Sequence, residues 1–471
     1  MLGRRKIVSS LFSHEADRKL IPTLSWPHLV AMGVGAIVGT GIYTLTGVGA
    51  DRAGPAVILA FAIAGSICAC AALAYAELAT ALPAAGSAYT YSYVALGEVV
   101  AWIIGWSLVL EYSVACSAVA AGWSAYVSGL IQAMGVPIPE ALLMGPHAGG
   151  IVNLPAVLIS LAVTALLVVG AKESATVNLV LVGVKLVALA AFVGFTIWYI
   201  KPTNFEPFMP YGFAAHSVDG AMKGVMAAAA IVFFAFFGFD AVSTSAEEAK
   251  NPGRDLTIGI IGSMALCTVI YMAVAACAVG AWPFQEFAKS GEPLAFVLRS
   301  VGHPVVGTLI AAAAIIALPT VILVMMFGQS RVFFVMSRDG LLPRGLSKVH
   351  PKFGTPTTIT IITGCFVAAV AGFFRLDEIA ELSNAGTLAA FVAAAVCMMV
   401  MRKTHPDLPR VFRCPLPWVV GPLTIAGCLY LFVSLPPSTM LRFLAWNVVG
   451  LIIYYFYGRR HSALAGDQKA A

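Results

Sequence analysis

Apolar stretches of about twenty residues, separated by short polar connections, recur along the whole chain. They predict twelve helices starting near residues 27, 55, 97, 153, 176, 223, 256, 304, 356, 379, 417 and 440. Each is long enough to cross roughly 30 Å of hydrocarbon. The third, sixth and eighth have room to run long or tilt. Two stretches interrupt themselves with glycine near the middle, GVGAIVGTGIY at 33–43 and FFAFFGFDA at 233–241. An interrupted helix in hydrocarbon leaves N–H and C=O groups without partners, which is sustained only where the break is buried in protein or lines a wet cavity. The breaks lie about two hundred residues apart in matching places of two halves, and so point to one binding site shared by both.

Composition narrows the class further. Hydrophobic residues make up 60% of the chain and charged ones 11%, with a mean hydropathy of +0.91, far from a soluble domain. An all-α polytopic membrane protein is expected, forming a single integral domain over residues 1–471. No short apolar core with a small-residue cleavage site precedes the first span, so the polar segment 1–25 is expected to stay in place. With that segment inside, 20 of the 28 Lys and Arg fall in inner connections and tails, seven fall outside, and Lys185 lies within a span. Positive connections favour the cytoplasm. The expected location is therefore the cell (inner or plasma) membrane, multi-pass, with both termini cytoplasmic and a cytoplasmic tail from 459 to 471.

The net charge of +6 needs no nucleic-acid partner. Eight of the nine cysteines fall inside predicted spans and Cys414 in an inner loop, while the histidines are scattered without ligand spacing. No disulfide framework, metal or cofactor is expected.

The first break places Gly39, Thr40 and Gly41 after Ile37 at the start of a half-helix, where consecutive amides and the positive dipole end favour a carboxylate. Gly35 and Gly39 also fit a small-residue packing face, but glycines at 33, 35, 39 and 41 exceed what such a face needs. A dinucleotide fingerprint is excluded by the spacing. At the second break, unwound carbonyls of Phe234, Ala235 and Phe237 can accept hydrogen bonds from an ammonium group. A carboxylate at one break and an amine at the other describe an amino acid. Most of the phenylalanines at 233, 234, 236, 237 and 239 read as packing, with one or two free to close over a substrate.

Two charges lie deep. Lys185 sits about 13 Å of helix rise beyond Thr176, too far to reach water comfortably. It must pair with a carboxylate, bind carbonyls or exchange its proton; the last makes it a proton-coupling residue, and a static ion pair is the plainer alternative. Glu111 either faces the pocket, as partner to a cationic side chain or a bound water, or makes an internal helix contact. Glu77, near the inner end of span two with Pro83 and Gly86 beyond it, reads as interfacial or structural. Charges at 247–255 and 331–352, including Glu247, Glu248, Asp339 and Lys352, suit an inner gate or simply a solvated positive-inside loop.

Long ordered motifs then add a resemblance. GVGAIVGTGIY with AGPA at 53–56, YAELATALPAAGSAYTY, GWSLVLEYSVA, FFAFFGFDAVSTSAEEAKNP and GQSRVFFVMSRDGLLPRGLSKVHPKFGTP resemble the amino acid, polyamine and organocation superfamily, in particular bacterial relatives of the cationic amino acid transporters. The resemblance covers nearly the whole chain. It implies the leucine-transporter fold: an inverted pair of five-helix repeats, here 26–202 and 222–402, followed by two helices in 416–458. It further implies a substrate carboxylate at Gly39, Thr40 and Gly41, an amine at the carbonyls of Ile37, Phe234, Ala235 and Phe237, and Phe234 closing the pocket from outside. Lys185 matches the family lysine that fills the space of a sodium ion in sodium-coupled relatives, which implies protons as the coupling ion. Glu111 matches a position near the side-chain end of the pocket, and Met325 and Met326 lie where the family reads the side chain.

Thioethers at that end favour small or apolar side chains over a guanidinium. The expected function is proton-coupled uptake of small neutral L-amino acids such as alanine, serine or threonine. Cationic amino acid transport, exchange, and a channel or sensor built on the same fold stay as alternatives. Enzyme chemistry is not expected, since the deep polar residues are chiefly Lys185 and Glu111. Whether a small single-span partner subunit joins the chain in the bilayer is not written in the sequence.

Overall fold

The computed structural model describes residues 4–6, 24–82, 86–136, 139–169, 175–243, 249–348, 350 and 355–464. Pro83, Glu247, Glu248 and Lys352 lie outside them. Helices dominate, as the apolar stretches predict. The first stretch becomes α1 (Trp26–Ile37) and α2 (Leu45–Ala53), bridged by the short helix Thr40–Tyr43. Then come α3 (Val57–Ala81), α4 (Glu98–Ala133), α5 (Leu154–Val169) and α6 (Ala175–Thr196). The sixth stretch becomes α7 (Val225–Val232) and α8 (Phe239–Ser243), and is followed by α9 (Pro252–Ala281), α10 (Pro304–Arg338), α11 (Thr357–Phe373), α12 (Leu376–Thr404), α13 (Pro417–Val433) and α14 (Pro437–Ile453). Strand structure among the described residues is one small hairpin, His216–Val218 against Ala221–Lys223.

Proline sets several of these starts: α1, α9, α10, α13 and α14 each carry one in the first two positions, where a missing N–H removes no helical bond. Among the described residues seven helices are long and apolar enough to cross a membrane, and shorter apolar helices supply the remaining stretches. The third and eighth stretches do run long, at 36 and 35 residues. The sixth does not: α7 tightens into a turn at Phe233–Phe236, and Gly238, at a φ of +117° that L side chains rarely adopt, redirects the chain before α8.

The centre is built on α4, which packs against both α10 and α12 and is itself largely buried. Around that core α1 lies on α9, α3 on α9 and α13, and α5 on α11. The outer surfaces of α6 and α14 present Val180, Val187, Leu441 and Leu444, all exposed and apolar, as helices bathed in lipid should. The described chain ends meet on one face. Lys6 bonds Asp339 through its side chain at 2.9 Å, and the amide of Ala463 donates to the Asp339 carbonyl at 3.0 Å. This is the near face; the far face carries the starts of α12 and α14.

Candidate functional site

The two glycine breaks meet at the centre of the molecule. A Cβ built on Gly41 would lie 2.6 Å from the Cβ of Ala235 and 2.9 Å from its amide nitrogen, closer than carbon side chains tolerate. The reverse contact is equally close: a Cβ on Gly238 would lie 2.9 Å from the carbonyl carbon and the Cβ of Ala36. Each break is thus keyed into the other by a glycine.

Between them lies a small cavity of about 10 Å³. Ile37, Gly39, Thr40, Gly41, Phe234, Phe237 and Met325 all line it, so seven of the residues singled out from sequence converge on one space. The helix Thr40–Tyr43 begins at Gly39 without a side-chain cap, so no side chain takes up its first amides. Thr40 is buried and donates its hydroxyl to the Val119 carbonyl at 3.4 Å. Facing it, Phe237 is extended, and its amide closes on the Phe234 carbonyl at 3.2 Å. Ala235 does not line the cavity; it is the residue against which Gly41 rests.

The remaining wall is apolar and was not singled out from sequence: Ala36 of α1, Ala115 and Val119 of α4 and Val321 of α10. The last three follow a readable rule, since Ala115 and Val119 stand four and eight residues after Glu111, and Val321 four before Met325, one helical face in each case. Glu111 itself lies one turn from Ala115, toward the near face, and not on the wall. It is buried, meets α12 at Gly386 and lies within electrostatic reach of Asp240, whose carboxylate accepts the Tyr112 hydroxyl at 2.7 Å.

Freed carbonyls at the breaks are held by side chains from other helices. Lys185, fully buried on α6, donates to the Gly35 carbonyl at 2.8 Å and reaches the Thr320 hydroxyl at 3.5 Å. The Tyr271 hydroxyl of α9 donates to the Ile37 carbonyl at 2.8 Å. Asn384 of α12 donates to the carbonyls of Ala230 and Ile231 at 2.8 and 3.2 Å, at the end of α7. Sequence reading found Lys185 through its charge, but missed Tyr271 and Asn384, though an asparagine inside an apolar span is itself a signal.

Both routes to the cavity are closed. On the far side Arg52, at the end of α2, pairs with Glu381 of α12 at 2.5 Å, and Thr439 of α14 donates to the same carboxylate at 2.9 Å. A short helix, Pro293–Ser300, covers this end, with Glu292 at its start paired to Arg299. On the near side Lys6 and the Tyr89 hydroxyl both reach Asp339 at 2.9 Å, and Arg4 lies 3.8 Å from Glu98. Glu77 is held by Arg402 and Arg410 and accepts the Cys414 amide at 2.7 Å, tying the near end of α3 to that of α12. The arrangement is a small central cavity at the meeting of the two breaks, with an apolar wall from α4 and α10 and ion pairs on either side of it.

Comparison with known proteins agrees with that geometry. Residues 24–457 match the family model described as amino acid permease. The chain is 46% identical to a branched-chain amino acid permease of Bacillus subtilis over 466 residues, covering 98% of each protein. It is 44% identical to the methylthioribose transporter of the same organism over 466 residues, 98% of this chain and 99% of that one. Further off, it is 36% identical over 419 residues to a vacuolar cationic amino acid transporter of Arabidopsis thaliana, covering 86% of this chain and 68% of the plant protein.

Proposed function

Because the chain belongs to the amino acid permease family, we propose that it is a secondary transporter carrying neutral L-amino acids into the cell, driven by protons and working by alternating access. The observation that carries this reading is the wall of the central cavity. Ala115, Val119, Val321 and Met325 offer a substrate side chain only apolar surface, while the carboxylate and amine ends are served by the amides after Gly39 and the carbonyls of the two breaks. At about 10 Å³ the cavity has room for about one water, so substrate enters only once the gates open, and small neutral side chains such as those of alanine, serine and threonine ask least of that opening. Branched aliphatic chains suit the same wall once the gates open, and two of the similar bacterial proteins are named branched-chain amino acid permeases. The position of Glu111, a turn below the wall, weakens the cationic reading.

Proton coupling is assigned to Lys185. A buried ammonium bonded to Gly35 neutralises the carbonyl end of α1 and holds the first break in its occluded form; loss of its proton would release α1. The distribution of Lys and Arg turns the near face toward the cytoplasm. Alternation then means opening either the Arg52–Glu381 pair or the Lys6–Asp339 and Arg4–Glu98 pairs, never both sets together.

Uptake of labelled alanine, leucine and arginine into proteoliposomes, with and without an inward proton gradient and with sodium absent, tests the reading. Proton-stimulated alanine or leucine uptake, with arginine excluded, is expected. Arginine preference would overturn the substrate class, and gradient-independent exchange would overturn the coupling.

A further inference from the structure

Away from the central cavity, a groove opens between α4, α11, α12 and α14 and encloses about 330 Å³. Leu110 and Val114 of α4 are buried at its floor, and Phe366 and Val370 of α11, Phe374 just past its end and Trp446 of α14 form its sides. Phe366 and Phe374 are exposed at the lip, so the groove faces the hydrocarbon. Eight residues separate them, a rise of about 12 Å, and the groove therefore runs along the helices rather than across them. Its far end is polar. There Arg442 donates to Glu378 at 3.2 Å, and the His147 ring meets the same carboxylate at 3.0 Å. The Arg442 side chain is still 37% exposed.

We propose that this groove is a lipid site holding one acyl chain of a zwitterionic aminophospholipid, its phosphate on Arg442 and its ammonium on Glu378. An apolar channel parallel to the helices and open to the bilayer is shaped for a chain. The rim decides which headgroup. Arg442 and Glu378, already side by side, complement a phosphate and an ammonium separated by a short linker, while the His147 ring and the Arg375 amide share the same carboxylate and Arg375 pairs with Asp377 beside it; a purely anionic headgroup meets Glu378 and Asp377 as like charges.

Position gives the site a consequence for the gate. Glu378 and Leu382 flank Glu381 on α12, Arg442 lies one turn beyond Thr439 on α14, and Thr439 and Arg52 both hold Glu381. On α4, Val114 of the groove floor is followed directly by Ala115 of the cavity wall. A chain in the groove braces α14 against α12, and with it the hydrogen bond from Thr439 to the far gate.

The test uses the full chain in bilayer nanodiscs with phosphatidylethanolamine or phosphatidylglycerol carrying a photoreactive acyl chain, and maps the crosslinked peptides, a readout independent of transport. Adducts from the ethanolamine probe within 366–374 and 442–446 are expected. Val370→Trp, which fills the groove, should abolish them. Arg442→Gln should lower them about fivefold, the worth of one phosphate-paired cation at a membrane surface. Leu309→Trp, on exposed α10 surface elsewhere, should leave them unchanged. Adducts confined to other helices, or retained in full by Val370→Trp, would overturn the site. Equal labelling by the glycerol probe, or none lost in Arg442→Gln, would overturn the headgroup assignment.

Discussion

Replacing Gly41 by alanine separates the keyed-break reading from simple helix packing. The added methyl would stand 2.6 Å from the Ala235 Cβ and 2.9 Å from its amide nitrogen. The Ala235 Cα would be closer still, and carbon atoms rest at roughly 3.5–4.0 Å, so the two breaks must part by more than about 1 Å. Ala235 lies in the turn between α7 and α8 and its Cβ is a single methyl, so no flexible side chain can yield instead. Overpacking of this kind costs about 1–3 kcal/mol of stability, which lowers the melting temperature without unfolding the chain. Its effect on binding should be larger. A substrate bridging amides on one break and carbonyls on the other is sensitive to their separation, and a misplacement of about 1 Å costs roughly a hundredfold where positioned groups must act together. Gly262→Ala on α9 is the matched control, since its Cβ would meet only ordinary contact with Val30 at 3.7 Å and it does not line the cavity. Equilibrium binding of labelled substrate to purified protein, paired with thermal unfolding, makes the comparison. An affinity for Gly41→Ala within about twofold of the parent, or equal to that of Gly262→Ala, would refute the argument.

Lys185→Ala should still bind and counterflow substrate yet lose stimulation by a proton gradient; proton-driven uptake by that variant would remove Lys185 from the coupling step. At the far gate, Arg52→Met or Glu381→Leu alone strands a buried charge, worth about 3–5 kcal/mol, while the double variant strands none and should melt higher than either single one. A double variant as unstable as the singles would show that the pair is not an isolated ionic contact. Val321→Ala should raise leucine uptake relative to alanine by about tenfold, the usual reach of a methylene-scale change in a pocket, and an unchanged ratio would place the side-chain end elsewhere. Burial pushes the Glu292 carboxyl above its ordinary 4.5, against the opposing pull of Arg299. The folded chain then holds that proton more tightly than the unfolded one, so the stabilisation is present in acid and is lost as pH rises through the folded value. Melting temperature should fall over that range, and Glu292→Gln should flatten the slope; an identical slope would exclude Glu292 as its source.

The breaks and the helix count were legible because hydrocarbon penalises any departure from a continuous apolar helix, so glycines at 39 and 41 and the FFAFFGFDA run stood out against an otherwise uniform pattern. Lys185 stood out for the same reason. The apolar wall did not, since Ala115, Val119 and Val321 are the residue types that pack every membrane helix and only their neighbours in space distinguish them. Nor did the gates. Arg52 reads as one more outer-loop positive until Glu381, 329 residues later, is placed beside it, and Lys6 and Asp339 are 333 residues apart. Glu111 shows the converse: its depth was readable and its place along α4 relative to the cavity was not, since it shares a face with Ala115 and Val119 yet lies one turn short of the wall, against Gly386 of α12.

Asp339 holds the first described residues through its carboxylate and the last ones through its carbonyl. The polypeptide is thereby closed into a ring by non-covalent bonds, with its clasp at the gate that must open for release. Within the described residues, one aspartate thus couples both ends of the chain, and a substitution at Asp339 is expected to loosen the two together.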